Sequence, residues 1–339
     1  MIISKVKFLW VILVILILPL ELKSQNYFDY QSNSILTQNW EMPTLLNPAA
    51  AGDSEFLRIR GAARLQWLGL HQSPKNFYGS IDAPIKISDK NIGVGVILDR
   101  SSYGFFQNIL LGAQGSYKFK LKGGNLEVGL QLGYFHSKFN GSKIETNQEM
   151  SQISSLDEDK KISDIPHTDL KDGKFDLGLG IRYDHQFFNI GLSALHITNS
   201  TIKLSENKES TPDVGYVESK LPATFYFNFG GNIPLKNSLF KLQPSLLFGT
   251  DFDRFNAVVE MRTTYNKKVT FGLNYRWNEA FGILAGLYLK DFYVGYSWEY
   301  AYNHSAKGST GNHELVIGYQ IKIDQGTKKK YSQKSIRLM

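Results

Sequence analysis

The chain of 339 residues contains no cysteine. That absence removes disulfide frameworks, thiolate zinc sites, cysteine nucleophiles and the lipid-modified cysteine of a bacterial lipoprotein. Long apolar runs are also missing: no segment after residue 20 reaches the roughly 18 consecutive apolar residues of a spanning helix. Any membrane embedding of the mature chain must therefore use strands. The body of the chain lacks net charge as well. The formal charge is +7, of which Lys5, Lys7 and Lys23 against Glu21 supply two near the start, and Lys328, Lys329, Lys330, Lys334 and Arg337 supply five at the end. Residues 25–324 are neutral overall, so a nucleic-acid partner loses its electrostatic basis.

Apolar residues make up 42% of the chain, and 22 Phe and 18 Tyr stand among them, too many for a disordered or low-complexity protein. At the start, Lys5 and Lys7 precede an apolar run from Phe8 to Leu20 that is too short to span a bilayer comfortably. Residues 1–24 read as a secretory signal peptide cleaved near Ser24/Gln25, with a retained anchor as the alternative.

Downstream, the dominant signal is period-two alternation. In Leu126-Glu-Val-Gly-Leu-Gln-Leu-Gly-Tyr134 one face is Leu, Val, Leu, Leu and Tyr, and the other is Glu127, Gly129, Gln131 and Gly133. The pattern recurs in 175–183, 269–277, 292–300 and 315–323. Marking every such run predicts strands near 55–67, 75–84, 91–98, 108–121, 124–137, 174–183, 187–196, 222–234, 239–250, 255–265, 268–277, 281–289, 292–302 and 312–323. The fold predicted is an all-β, transmembrane, antiparallel up-and-down barrel of about 14 strands. The longest connectors, 138–173 and 197–221, fall on one parity of the gaps, as expected of external loops opposite short periplasmic turns; both read as polar, external and mobile. Tyr265, Trp277, Phe281, Phe292 and Tyr302 sit at strand ends, where interfacial girdles belong. Gly178, Gly180, Gly272, Gly295, Gly318, Asn274, Gln131 and Gln320 on the opposite face suit a crowded or wet lumen better than the solvent face of a soluble β-sandwich, which is the competing fold.

The organisation expected is a signal peptide (1–24), an N-terminal plug or periplasmic segment (25–54), a barrel (55–323) and a basic tail (324–339). An even strand count puts both termini in the periplasm. Trp40, Met42, Leu45 and Leu46 argue that the segment before the first strand docks into the barrel. Asn47-Pro48 predicts a turn, because proline fixes its own φ and pushes the preceding residue out of the helical region, and Gly52 permits a positive φ. Arg58, Arg60 and Arg64 share one parity of the first strand and are predicted to face the lumen, with Glu260, Glu299 and Glu314 of later strands as candidate partners. Glu314 lies on the last strand, which must pair with the first.

Three motifs then resemble a known family. Leu46-Asn47-Pro48-Ala49-Ala50-Ala51-Gly52, followed by Arg64-Leu-Gln66-Trp67-Leu-Gly69 with Pro74, and Gly311-Asn-His-Glu-Leu-Val-Ile-Gly-Tyr319 are similar in order and spacing to the PorP/SprF family of the Bacteroidetes. The resemblance covers roughly residues 38–323; Ala50 departs from it, standing where the family commonly has an aromatic. It implies an outer-membrane barrel of the type IX secretion and gliding systems with a non-enzymatic role. That role is support of the secretion or surface anchoring of adhesin-like clients carrying a type B C-terminal domain. Implied partners are outer-membrane lipid, such a client and periplasmic type IX components. A channel for a small hydrophobic or nutrient solute is the alternative function, and a soluble surface adhesin a third.

Residue constellations for chemistry are sparse. Seven histidines are scattered, with no H-E-x-x-H pattern. Gly93-Val-Gly95 and Gly178-Leu-Gly180 lack the helix that a dinucleotide site needs. No G-x-S-x-G elbow or Walker loop occurs. No cofactor, metal or catalytic residue is expected.

Overall fold

A computed structural model describes residues 35–87, 90–144, 168–204, 217–235, 239–303 and 306–323. The expected signal peptide and the basic tail after Ile323 lie outside the described residues.

The alternating segments form strands β1 (Phe56–Leu65), β2 (Lys75–Ile87), β3 (Lys90–Tyr103), β4 (Phe106–Leu121), β5 (Gly124–Asn140), β6 (Asp169–His185) and β7 (Phe188–Leu195), then a separate hairpin of β8 (Ser200–Leu204) and β9 (Val217–Leu221). β10 (Thr224–Gly231) and the two-residue β11 (Ile233–Pro234) are two parts of one stave, followed by β12 (Phe240–Thr250), β13 (Phe255–Tyr265), β14 (Val269–Arg276), β15 (Ala280–Leu289), β16 (Phe292–Ala301) and β17 (Asn312–Lys322). Every neighbouring pair is antiparallel, β17 pairs with β1, and β10 pairs with both β7 and β12, so the sheet closes into a barrel of fourteen staves. Closure leaves no unpaired edge, a requirement for strands in lipid.

Alternation sorts the side chains. Leu273, Ile283 and Ile317 point out of the ring with 64, 55 and 54% of their surface exposed, whereas Arg64, Gln131 and Glu299 point inward and are 1, 0 and 1% exposed. This is the inverse of a soluble β-sandwich, and an apolar band of that extent belongs against hydrocarbon. Aromatic residues mark both rims: Phe240 stacks near Tyr265 and Phe292 near Tyr319 at one end, and Phe281 lies between Tyr275 and Tyr302 at the other.

The two ends of the barrel differ. At the turn end, β1 begins, β17 ends and most connectors are tight; Lys122 and Gly123, for instance, both take positive φ in the two-residue turn from β4 to β5. At the loop end lie the long connectors. Residues 197–221 differ from the expected mobile loop, since they contain the β8–β9 hairpin. The reason is visible in the local sequence: Ile202 and Leu204 sit two residues apart, so one face of β8 is apolar. With Leu221 they pack fully buried against Phe105, Phe106, Phe139 and Leu170 at the mouth. Residues 138–173 are also shorter as a connector than expected, because β5 runs to Asn140 and β6 starts at Asp169. An Ile202→Asp substitution should bury a charge beneath this hairpin and lift it from the mouth. Limited proteolysis should then cut within 197–223 while the heat-modifiable migration of the barrel stays unchanged.

Candidate functional site: the plugged lumen

Residues 35–53 lie inside the barrel as an irregular chain with three short 3-10 turns, Asn39–Glu41, Pro43–Leu45 and Pro48–Ala50. Irregular backbone has no ladder to satisfy its amides and carbonyls, so the wall must do so. It does, from the turn end to the loop end. Ser116 Oγ donates to the Ala51 carbonyl at 2.7 Å, Ser193 Oγ to Leu46 at 2.5 Å, Gln114 Nε2 to Thr44 at 2.8 Å and Arg276 Nη2 to Ile35 at 3.1 Å. Glu314 accepts from the amides of Thr37 and Gln38 at 2.7 and 2.8 Å. The polar inner face is thus a template for one segment of backbone.

The Asn47-Pro48-Ala49 element is anchored at mid-barrel. Asn47 has extended backbone and caps the turn that follows, its Oδ1 accepting from the Ala49 amide at 2.9 Å. Its Nδ2 reaches the carbonyls of Ile181 and Leu192 on β6 and β7 at 3.2 and 3.3 Å. Gly52 has φ of +63° and donates its amide to Asp82 at 2.9 Å. The small residues of the inner wall make room for this element: a Cβ on Gly129 would stand 2.3 Å from the Ala49 nitrogen, and one on Gly93 would stand 1.8 Å from the Ala51 carbonyl oxygen. Asn47→Ala should remove the cap and both wall contacts at a cost of about 1–2 kcal/mol. Hydrogen exchange of the detergent-solubilised protein should show faster exchange confined to the plug.

Charged groups lock the two ends of the segment. Near the loop end, Arg64 donates to Glu299 at 2.6 Å and to Glu314 at 3.2 Å, and Arg276 reaches Glu299 at 3.2 Å. Thr37 of the plug donates its hydroxyl to Glu299 and accepts from Arg64, inserting into this cluster. Near the turn end, Arg58 pairs with Asp53 at 2.7 Å and Asp82 at 2.6 Å, and Arg182 also engages Asp53. Between them, Arg60 pairs with Glu41 at 3.1 Å, Tyr288 donates to Glu41, and the Arg262 guanidinium lies 3.7 Å above the Trp40 ring.

Of the acids considered as partners for the first-strand arginines, Glu299 and Glu314 meet Arg64, but Glu260 does not join them. It pairs at 2.8 Å with Arg262, two residues along its own strand. Arg58 and Arg60 instead take Asp53, Asp82 and Glu41. Two of those acids arrive on the plug, whose path inside the barrel no strand pattern specifies; Asp82 could have been found, since it stands opposite Arg58 in the register of β1 with β2.

The other two motifs meet at the loop end although some 245 residues separate them. The Trp67 amide donates to Asn312 Oδ1 at 3.0 Å, Leu68 exchanges backbone bonds with Thr310 and Gly311, and the Gln66 amide bonds the Pro74 carbonyl at 2.9 Å. Gly69 turns the loop with φ of +102°, and Asn312 Nδ2 donates to Glu299 at 3.0 Å. These residues close the seam between first and last strands above the Arg64 cluster. Among the described residues, no group of three or more His, Asp or Glu is placed to hold a metal ion.

No curated protein matches the sequence. Among solved structures, the Ralstonia pickettii toluene transporter TbuX is 12% identical, with 90% of this chain and 100% of that one covered at a TM-score of 0.49. The Pseudomonas putida toluene transporter TodX is 10% identical, with 88 and 97% covered and a TM-score of 0.45. The Acinetobacter baumannii outer membrane protein Omp33 is 7% identical, with 79 and 98% covered and a TM-score of 0.42. Likenesses this distant say nothing of what the present chain carries. The family description for the type IX secretion system membrane protein PorP/SprF, by contrast, matches residues 29–319, which takes in the plug and the barrel strands except the last three residues of β17. This outer-membrane β-barrel belongs to the PorP/SprF family of type IX secretion system membrane proteins.

Proposed function

We propose that the protein is a non-enzymatic outer-membrane barrel that supports the secretion, the surface anchoring, or both, of adhesin-like type IX clients with a type B C-terminal domain. In this reading the loop end faces outside, the turn end faces the periplasm, and periplasmic components of the same machinery meet the turn end. The observation that carries the reading, beside family membership, is the filled lumen. A solute channel needs a continuous path, whereas here a threaded segment is bonded to the wall along its length. A cavity between plug and wall near Leu36, Met42, Tyr78, Ile97 and Tyr226 is about 40 Å³, against the roughly 150 Å³ of a cavity that takes benzene. What remains for partners is the surface: two rims and the outer wall.

Deleting the gene should remove a particular adhesin from the cell surface, and the full-length gene should restore it, while uptake of small hydrophobic solutes is unaffected. If uptake falls and the surface adhesins persist, the channel reading takes its place.

A further inference from the structure

On the outer wall, the loop end of β2–β6 departs from the apolar pattern around it. Strand register sets the outward side chains there in rows. The row nearest the mouth carries Lys75 on β2, Lys138 on β5 and Lys171 on β6, and Arg100 of β3 stands in the next row, between Phe77 of β2 and Ile109 of β4. One row further down, Leu98, Leu111, Tyr134 and Phe175 begin the hydrocarbon band, the last of them 80% exposed. Lys138 lies directly opposite Lys171, and like charges so placed weaken a sheet unless an anion joins them. Asp169 reaches Lys138 at 2.7 Å, but Lys75, Arg100 and Lys171 make no ion pair among the described residues. The position of Arg100 is the costliest, because Phe77 and Ile109 on either side of it are themselves exposed on the lipid-facing wall. On β14–β16 the outward positions nearest the loop end are Tyr275, Phe281, Trp298 and Tyr300, without a cation. The basic patch is thus confined to one side of the barrel.

We propose that this patch holds a membrane lipid whose headgroup carries more than one phosphate, with its acyl chains lying along the apolar wall of β3–β6 beneath. Arginine presents a planar fork that matches phosphate oxygens, and lysines at a membrane boundary extend their stems along apolar surface to keep the ammonium in the headgroup layer. From Lys75 to Lys171 the patch crosses four strand spacings, about 19 Å, which is wider than one phosphate can bridge. A headgroup of glycolipid size with several phosphates fits that width. What favours a lipid over a soluble polyanion or an acidic protein is the wall below: Leu98, Leu111, Tyr134 and Phe175 give acyl chains a surface in line with the cations.

Native mass spectrometry of the folded, detergent-solubilised chain, titrated with bisphosphorylated lipid A, should show a bound lipid that is lost when the same lipid is first treated with phosphatase. Each interfacial cation is worth roughly fivefold in affinity for an anionic headgroup, so Arg100→Gln combined with Lys171→Gln should weaken binding about 25-fold. Lys290→Gln combined with Lys307→Gln removes the same charge from exposed positions elsewhere and should change affinity by less than about twofold. Three results would overturn the proposal: equal binding of the phosphatase-treated lipid, equal weakening by the two double variants, or full displacement of the lipid by pyrophosphate or polyglutamate. The last would assign the patch to a soluble anion or to an acidic protein surface. Heat-modifiable migration checks that the variants fold, and if they do not, the comparison of the two lipid forms on the unaltered chain decides the matter.

Discussion

Arg64→Leu should destabilise the detergent-solubilised barrel by about 3–5 kcal/mol, because it leaves buried carboxylates without their cation. Arg64 and both of its acidic partners are 1% exposed, so water cannot take over its role. Arg276 would still reach Glu299, but Glu314 would retain only the amides of Thr37 and Gln38. The same change removes the bond that the Thr37 hydroxyl accepts from Arg64 and leaves the acid that holds the Thr37 amide uncompensated, so loss of stability and loss of plug order should appear together. Urea unfolding followed by tryptophan fluorescence measures the first, and protection of an introduced Thr37→Cys from maleimide in the solubilised protein measures the second. Adding Glu314→Gln to Arg64→Leu should recover part of the loss, since the uncompensated charge and not the missing volume is the main cost. If the double variant is no more stable than the single one, the charge argument fails.

Gly129→Leu should expel the plug without preventing barrel closure. The added Cβ alone would stand 2.3 Å from backbone of the Pro48-Ala49 turn. That turn is buried and held by Asn47 to β6 and β7, so the segment cannot shift slightly and stay docked. On β5 the residue pairs with Ser116 and Gly180, and neither ladder depends on its side chain. Heat-modifiable migration should therefore persist, whereas cysteines placed at Ala49 or Thr44 should become reactive and the lumen should conduct ions in planar bilayers. Conductance near the wild-type level would mean that the plug is not what closes the pore. Loss of heat-modifiable migration would mean that the glycine serves barrel assembly.

Much of the architecture was readable in the chain before any coordinates. Alternation at period two is a local property, so strand positions, the outward-facing apolar set and the closed ring of fourteen staves followed from neighbouring residues. At the mouth that alternation shrinks to Ile202 and Leu204 within a polar connector, too short a run to announce a hairpin whose burial comes from Phe105, Phe139 and Leu170, far away in sequence. The family motifs were visible as residue strings and the pairing of the last strand with the first was expected, but not the register that sets Leu65 opposite His313 and so brings the Trp67 amide to Asn312.

The inner face shows where local information ends. Strand parity alone places Arg58, Arg60 and Arg64 inside the barrel, because each side chain's face depends only on its position in the pleat. Which acid each one meets depends on strand tilt and on the path of an irregular segment, and both are properties of the closed ring. Glu260 therefore turned to Arg262, and Glu41 and Asp53 supplied charges that no alternating run contained. The glycines that suited a crowded or wet lumen are room for other side chains, Gly180 for Asn47, Gly295 for Gln38 and Gly318 for Arg60. A small inward residue looks the same in either case until the chain that fills the space has been folded back into it.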